Sequence, residues 1–80
     1  MKARIAITFK NGVLDPQGKA IHSALTNHGF NTIDDVRQGK IIDITLNCSC
    51  LNQATTDIKA MCDKLLVNSV IENYEILTIV

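Results

Sequence analysis

Residues 2–29, KARIAITFKNGVLDPQGKAIHSALTNHG, change their apolar period partway along, and that change decides the fold. From Lys2 to Lys10 the period is two. Ile5, Ile7 and Phe9 share one side and Arg4, Ala6, Thr8 and Lys10 the other, the pattern of a half-buried strand. Beyond the loop the period becomes helical, with Ala20, Ile21, Ala24 and Leu25 on one side. The junction explains the switch. Asp15 can accept hydrogen bonds from unpartnered helix N–H groups, and Pro16 at the first helical position gives up a donor that had no partner. Gly29, following His28, suits a left-handed C-terminal cap. These signals predict a helix over 16–28 with its apolar side packed inward.

Working outward, the stretch Thr32 to Gln38 is weakly apolar, and Gln38-Gly39-Lys40 reads as a tight turn into Ile41 to Cys48, where Ile42, Ile44, Leu46 and Cys48 alternate. This predicts a hairpin. Asn52 is positioned to cap a second helix carrying Ala54, Ile58, Met61, Cys62, Leu65 and Leu66 in one stripe. In the closing strand, Val70 to Val80, the alternation puts Tyr74, Ile76 and Val80 on one face and Leu77 and Ile79 on the other, so both faces carry apolar side chains. The outer one is then available to another subunit. The order strand, helix, strand, strand, helix, strand with right-handed crossovers gives an α+β, ferredoxin-like βαββαβ sandwich: a four-stranded antiparallel sheet with two helices on one face. With no repeat or linker, residues 1–80 read as a single domain.

Composition narrows the function. Leu, Ile, Val and Phe make up 25 of 80 residues, enough to collapse around a core. Eight cations balance eight anions, and aromatics are 4% with no Trp, which leaves neither a basic phosphate-binding surface nor stacking platforms; nucleic acid is not an expected partner. Residues 1–40 hold six cations and three anions, whereas residues 41–80 hold two and five, an asymmetry suited to self-association or a polarised docking face. No apolar run approaches a membrane span, and MKARIAITFK lacks the continuous apolar stretch of a signal peptide. Three cysteines, an odd number, fit reduced thiols in a cytoplasmic protein.

Searched for chemistry, the chain offers little. Its glycines, at 12, 18, 29 and 39, match no nucleotide-binding spacing. Gly12 and Gly18 flank a helix start that could hold an anion, but Asp15 competes for the same donors. Cys48, Cys50 and Cys62 would need His22, His28 or Asp63 to complete a zinc site, and the spacing is no recognised metal pattern; Cys48 and Cys62 fall on apolar stripes, where small thiols pack. His22 and His28 sit about 240° apart around a helix, and Asp34 and Asp35, adjacent on a strand, point to opposite faces. Neither pair can share acid–base work. No catalytic, cofactor-binding or metal-ligating set emerges.

Three blocks carry a resemblance: KNGVLDPQGKAI at residues 10–21, VRQGKIIDI at 36–44 and MCDKLLVNSVIENYEI at 61–76. In this order and over nearly the full length, they resemble the PurS family, the small subunit of phosphoribosylformylglycinamidine (FGAM) synthase. Ser69 departs from the pattern, standing where the family usually has proline, which loosens the turn into the last strand.

The resemblance implies a non-catalytic subunit of a glutamine-dependent ligase in de novo purine biosynthesis. In that complex a PurQ-like glutaminase releases ammonia, and a PurL-like synthetase uses ATP and Mg to convert formylglycinamide ribonucleotide to the amidine. The small chain binds no cofactor itself; as a homodimer or tetramer it bridges the two larger subunits. Exposed charge combined with glycines points to Lys10, Asn11, Gly12, Asp15, Gln17, Arg37, Gly39 and Lys40 as the partner interface. Tyr74, Leu77 and Ile79 are the expected dimer contacts. Two other classes share the topology: an ACT-like regulatory module binding a small molecule between subunits, and an acylphosphatase-type enzyme. The latter needs an anion-binding loop with an arginine, where NGVLDPQG places an aspartate.

Overall fold

The computed structural model describes residues 1–80. Its centre is strand β1, Lys2–Phe9, in which Ala3, Ile5 and Ile7 are buried while Lys2, Arg4 and Thr8 are exposed, so the sequence alternation is kept. On one side β1 pairs antiparallel with β2, Lys40–Thr45, matching Ile5 with Ile42; on the other it pairs antiparallel with β3, Glu72–Ile79, matching Ile5 with Ile76. Helix α2, Leu51–Met61, crosses one face of this sheet and runs into a π-helical turn, Cys62–Leu66. Ile5 and Ile7 of β1, Ile58 of α2 and Cys62 of the π turn are essentially inaccessible and, with Ala3 and Val67, form the core. Each buried isoleucine contributes roughly 1.5–3 kcal/mol of transfer free energy.

The chain is α+β, but the sheet has three strands in the order β2-β1-β3, not four. The predicted strand over Thr32–Gln38 does not form, and with it goes the hairpin at Gly39. Two backbone groups of that stretch are engaged elsewhere. The Ile33 carbonyl oxygen accepts from Nε2 of His22 at 3.0 Å, and the Gln38 N–H donates to Asp15 at 2.6 Å. Gly39 is a close-approach glycine and not a turn: a Cβ there would lie 2.6 Å from the Ile7 carbonyl oxygen.

Helix α1, Pro16–Asn27, forms as its signals require, with Asp15 at the N-cap accepting from the Gly18 N–H at 2.9 Å. Gly29 adopts φ +95°, while Gly29 and Phe30 donate to the carbonyls of Thr26 and Leu25, the paired bonds of a Schellman end. Its expected packing does not follow. Ala20, Ile21 and Ala24 are exposed, and only Leu25 of that stripe is half-buried. The neighbour of α1 is the extended segment 31–38, where Gly18 lies against the Val36 carbonyl. Together they make an arm, which gives the molecule extents of 50 × 24 × 14 Å and a radius of gyration of 16.1 Å. A close-packed domain of this length has a radius of about 12 Å.

Two local insertions redirect the remaining patterns. The π turn, closed by Val67 N–H donating to the Cys62 carbonyl at 3.1 Å, shifts the helical phase by one residue; Leu65 is 84% exposed and Val67 is buried instead. In β3, Arg4 pairs with Thr78 but Ile5 pairs with Ile76, leaving Leu77 as the extra residue of a β-bulge. The bulge flips the alternation. Ile79 packs on the core with Tyr74 and Ile76, and does not face the opposite way. The outer face of the sheet therefore lacks Ile79; it carries Arg4, Thr8, Asp43, Thr45, Asn73, Glu75 and Thr78, with Ile41, opposite Ala6, as an exposed apolar side chain among them. Helix α2 begins at Leu51 behind Cys50, ahead of the expected Asn52 cap, with no side chain capping it.

Candidate functional site

The strand–helix loop after β1 and the segment before β2 meet at one end of the sheet, although 20 or so residues separate them in sequence. Arg37 joins them. Its Nη1 donates to the Val13 carbonyl at 2.8 Å and its Nη2 to the Lys10 carbonyl at 3.2 Å, so the planar guanidinium clamps the loop from outside. Asp15 joins them from inside. At 3% exposure its carboxylate accepts the Gln38 N–H through Oδ2 and the Gly18 N–H through Oδ1. Those two backbone donors, Gln38 first, hold the Asp15 carboxyl below the usual carboxylate range, and Arg37 acts in the same direction.

The structure therefore brings together Lys10, Asn11, Gly12, Asp15, Gln17, Arg37, Gly39 and Lys40. Their tasks differ. Asp15 and Arg37 order the loop, and Gly39 lets β2 approach β1. Asn11 and Gly12 form the exposed tip, where Gly12 takes φ +84° in a turn. Gln17, Gly39 and Lys40 edge a shallow cavity of about 160 Å³ above Phe9 and Glu72. Lys40 Nζ lies 3.7 Å from Glu72 Oε2, and Glu72 also accepts the Asn68 N–H at 2.8 Å, tying the turn before β3 to the same end.

Of the expected dimer contacts, Leu77 stands 44% exposed at the bulge, whereas Tyr74 and Ile79 lean on the core. Burial, with the Asp63 carboxylate nearby, pushes the Tyr74 hydroxyl up. The charge asymmetry of the two halves is compensated within the fold: Arg4 of β1 meets Asp43 of β2 at 2.8 Å and Lys40 meets Glu72, each pairing a cation of the first half with an anion of the second. Surfaces absent from the sequence reading are Leu14, Ile21 and Phe30 on the arm, each at least 40% exposed, and Leu65 in the π turn. Leu14 and Phe30 bracket the helix, a signal that was readable.

Chemically, this end is a hydrogen-bonded platform. His22 is committed to the Ile33 carbonyl, burial pushes the Cys62 thiol up, and no three His, Cys, Asp or Glu side chains come together in a way that would hold a metal ion. No helix is long and apolar enough to cross a membrane.

Comparison with known proteins finds relatives over nearly the whole chain. The PurS family profile, described as phosphoribosylformylglycinamidine (FGAM) synthase, matches residues 2–79. The chain is 44% identical over 71 residues to the phosphoribosylformylglycinamidine synthase subunit PurS of Synechocystis, covering 89% of this chain and 71% of that one. It superimposes on the crystal structure of Methanocaldococcus jannaschii PurS, one of the subunits of formylglycinamide ribonucleotide amidotransferase, with a TM-score of 0.81 and 41% identity; 94% of this chain and 90% of that one are covered. It is also similar to a chain in the structure of PurLQS from Thermotoga maritima, with a TM-score of 0.78 and 29% identity over 95% of each chain. These matches lend no support to the regulatory-module alternative.

Proposed function

The chain belongs to the PurS family of FGAM synthase subunits, and from that premise we propose how it serves the complex. It is a non-catalytic bridge, cytoplasmic and acting as one 1–80 domain, between a PurL-like synthetase and a PurQ-like glutaminase. The synthetase binds ATP and Mg; this chain binds neither. The observation that carries the reading is the likeness, over almost the whole chain, to a component of PurLQS, in a molecule whose loop end is stiffened by Asp15 and Arg37. Stiffness is what bridging requires. Ammonia released at one site reaches a second without loss to water only if the two sites stay in register, an effect of position and not of chemistry. Lys10, Asn11, Gln17 and Lys40 supply the partner-facing side chains of that loop end and Gly12 its exposed backbone, on the frame set by Asp15, Arg37 and Gly39.

The working form is a homodimer. The arm exposes Leu14, Ile21 and Phe30, while α2 and the π turn that follows it cover the core face of the sheet. A second copy supplies the missing cover by laying its arm against this chain, so that the two-helix, ferredoxin-like sandwich is completed between copies. Leu77, exposed at the bulge, adds to this contact; two such dimers can build a tetramer.

The test is glutamine-dependent amidine formation by matching synthetase and glutaminase, with and without this chain, beside the same assay fed with ammonium salt. Glutamine-dependent turnover is expected to require the chain, and ammonia-dependent turnover to need it less. Equal indifference of both rates, with no co-elution, would reject the bridging role.

A further inference from the structure

The loop joining β2 to α2 carries Cys48 and Cys50 on either side of Ser49, outside any strand or helix. Both thiols are free; Cys48 is half-buried and Cys50 exposed, whereas the third thiol, Cys62, is fully buried. The Cys48 side chain is turned along the chain toward its neighbour, its S–H donating to the Cys50 carbonyl oxygen at 3.4 Å. Cys50 stands at the N-cap of α2 in extended conformation, φ −101° and ψ 120°, and its side chain makes no capping bond. Neither thiol is therefore held by the helix. Residues two apart in an extended chain have Cα atoms within about 7 Å, and a disulfide spans roughly 4.4–6.8 Å, so a modest bend at Ser49 brings the sulfurs together.

We propose that Cys48 and Cys50 are a redox modification site, closing to an intramolecular disulfide when the chain meets an oxidised low-molecular-weight disulfide such as oxidised glutathione. The thiolate of the more exposed Cys50 attacks one glutathione sulfur, breaking that S–S bond and expelling one glutathione thiolate. The Cys48 thiolate then attacks the Cys50 sulfur and expels the second. The protein pair loses two electrons, the glutathione disulfide gains them, and the two protein protons end on the two released thiols. A bridge enclosing a single residue is strained and exposed, which keeps it easily reduced; reduced glutathione reopens it. So tight a ring also adds little to stability, since the loop it closes is minimal.

The experiment equilibrates the full chain with glutathione buffers from reducing to oxidising, quenches with acid, alkylates under denaturing conditions and weighs the intact protein. At the reducing end all three cysteines take up the alkylating agent. At the oxidising end only Cys62 is expected to do so, with no glutathione bound, and a digest is expected to place the bridge within the 48–50 segment. The Cys48→Ser variant, treated identically, is expected to retain glutathione on Cys50. The proposal fails if the wild-type chain carries as much bound glutathione as Cys48→Ser. It fails equally if all three thiols stay alkylatable at every ratio, or if they disappear by linking two chains.

Discussion

Asp15 and Gln38, 23 residues apart in sequence, are joined by the Gln38 N–H donating to Asp15 Oδ2 at 2.6 Å, while Oδ1 of the same carboxylate caps α1 at Gly18. One side chain thus starts a helix and fastens the extended segment of the arm to it. Asp15→Asn keeps the shape but loses the charge and one acceptor, and is expected to lower the melting temperature by about 5–10 °C. The folded-state pKa is depressed, so the stabilisation is fully present above the unfolded carboxyl value of about 3.9 and is lost as pH falls below it. Melting temperatures recorded from pH 7 to 3 are expected to show the gap between wild type and Asp15→Asn narrowing at the acid end. A constant gap between the curves would contradict this role.

Gly18 tests the arm from the other side. Alanine is the better helix former by about 1 kcal/mol, so propensity alone predicts that Gly18→Ala stabilises. The structure predicts the reverse, because the new Cβ would lie 2.2 Å from the Val36 carbonyl oxygen and 2.8 Å from Asp15 Oδ2. A net loss of about 1–3 kcal/mol in chemical denaturation is expected.

Ile58 and Leu65 sit on one stripe in the sequence, but Ile58 lies in α2 and Leu65 within the π turn that follows it. Ile58 is fully buried and Leu65 is 84% exposed. Ile58→Ala is expected to cost about 2–5 kcal/mol and Leu65→Ala no more than about 0.5 kcal/mol in the same denaturation series. Similar losses at both sites would mean that α2 continues as a regular helix.

These residues mark where the sequence was legible. Wherever one chemical cause acted locally, as with the β1 alternation, the Asp15-Pro16 start and the Gly29 stop of α1, the reading held. It went astray where one inserted residue changes the phase: the π turn at Cys62–Leu66 and the bulge at Leu77 each flip every side chain beyond them, and neither carries a composition signal. Thr32–Gln38 misled for another reason. Two of its backbone groups, the Ile33 carbonyl and the Gln38 N–H, bond to side chains of α1 and the first loop that are distant in sequence, so no local pattern announces it. The converging loop set was found through its glycines and charges, although the clamp of Arg37 on two carbonyls belongs to the fold alone.

Lys40 separates docking from folding. Its side chain is 56% exposed and its ammonium lies 3.7 Å from the largely covered Glu72 carboxylate, a long pairing of small stabilising value. Lys40→Glu is expected to leave the melting temperature within a few degrees of wild type while weakening association with the larger subunits several-fold at low salt, an effect that shrinks as salt is raised. Unchanged association at every salt concentration would remove Lys40 from the interface.

Ile21 bears on the second copy. It lies on α1, 40% exposed, in an arm that leaves the monomer 50 Å long, so the core of a single chain does not depend on it. An aspartate there would be harmless in a monomer. In the dimer it would be drawn out of water without a partner, a penalty of several kcal/mol counted at both symmetric sites. Ile21→Asp is therefore expected to move the mass measured by sedimentation equilibrium from two chains toward one at micromolar concentration, while far-ultraviolet circular dichroism stays close to wild type. Dimers that persist in Ile21→Asp would mean that the arm is covered by something other than a second copy.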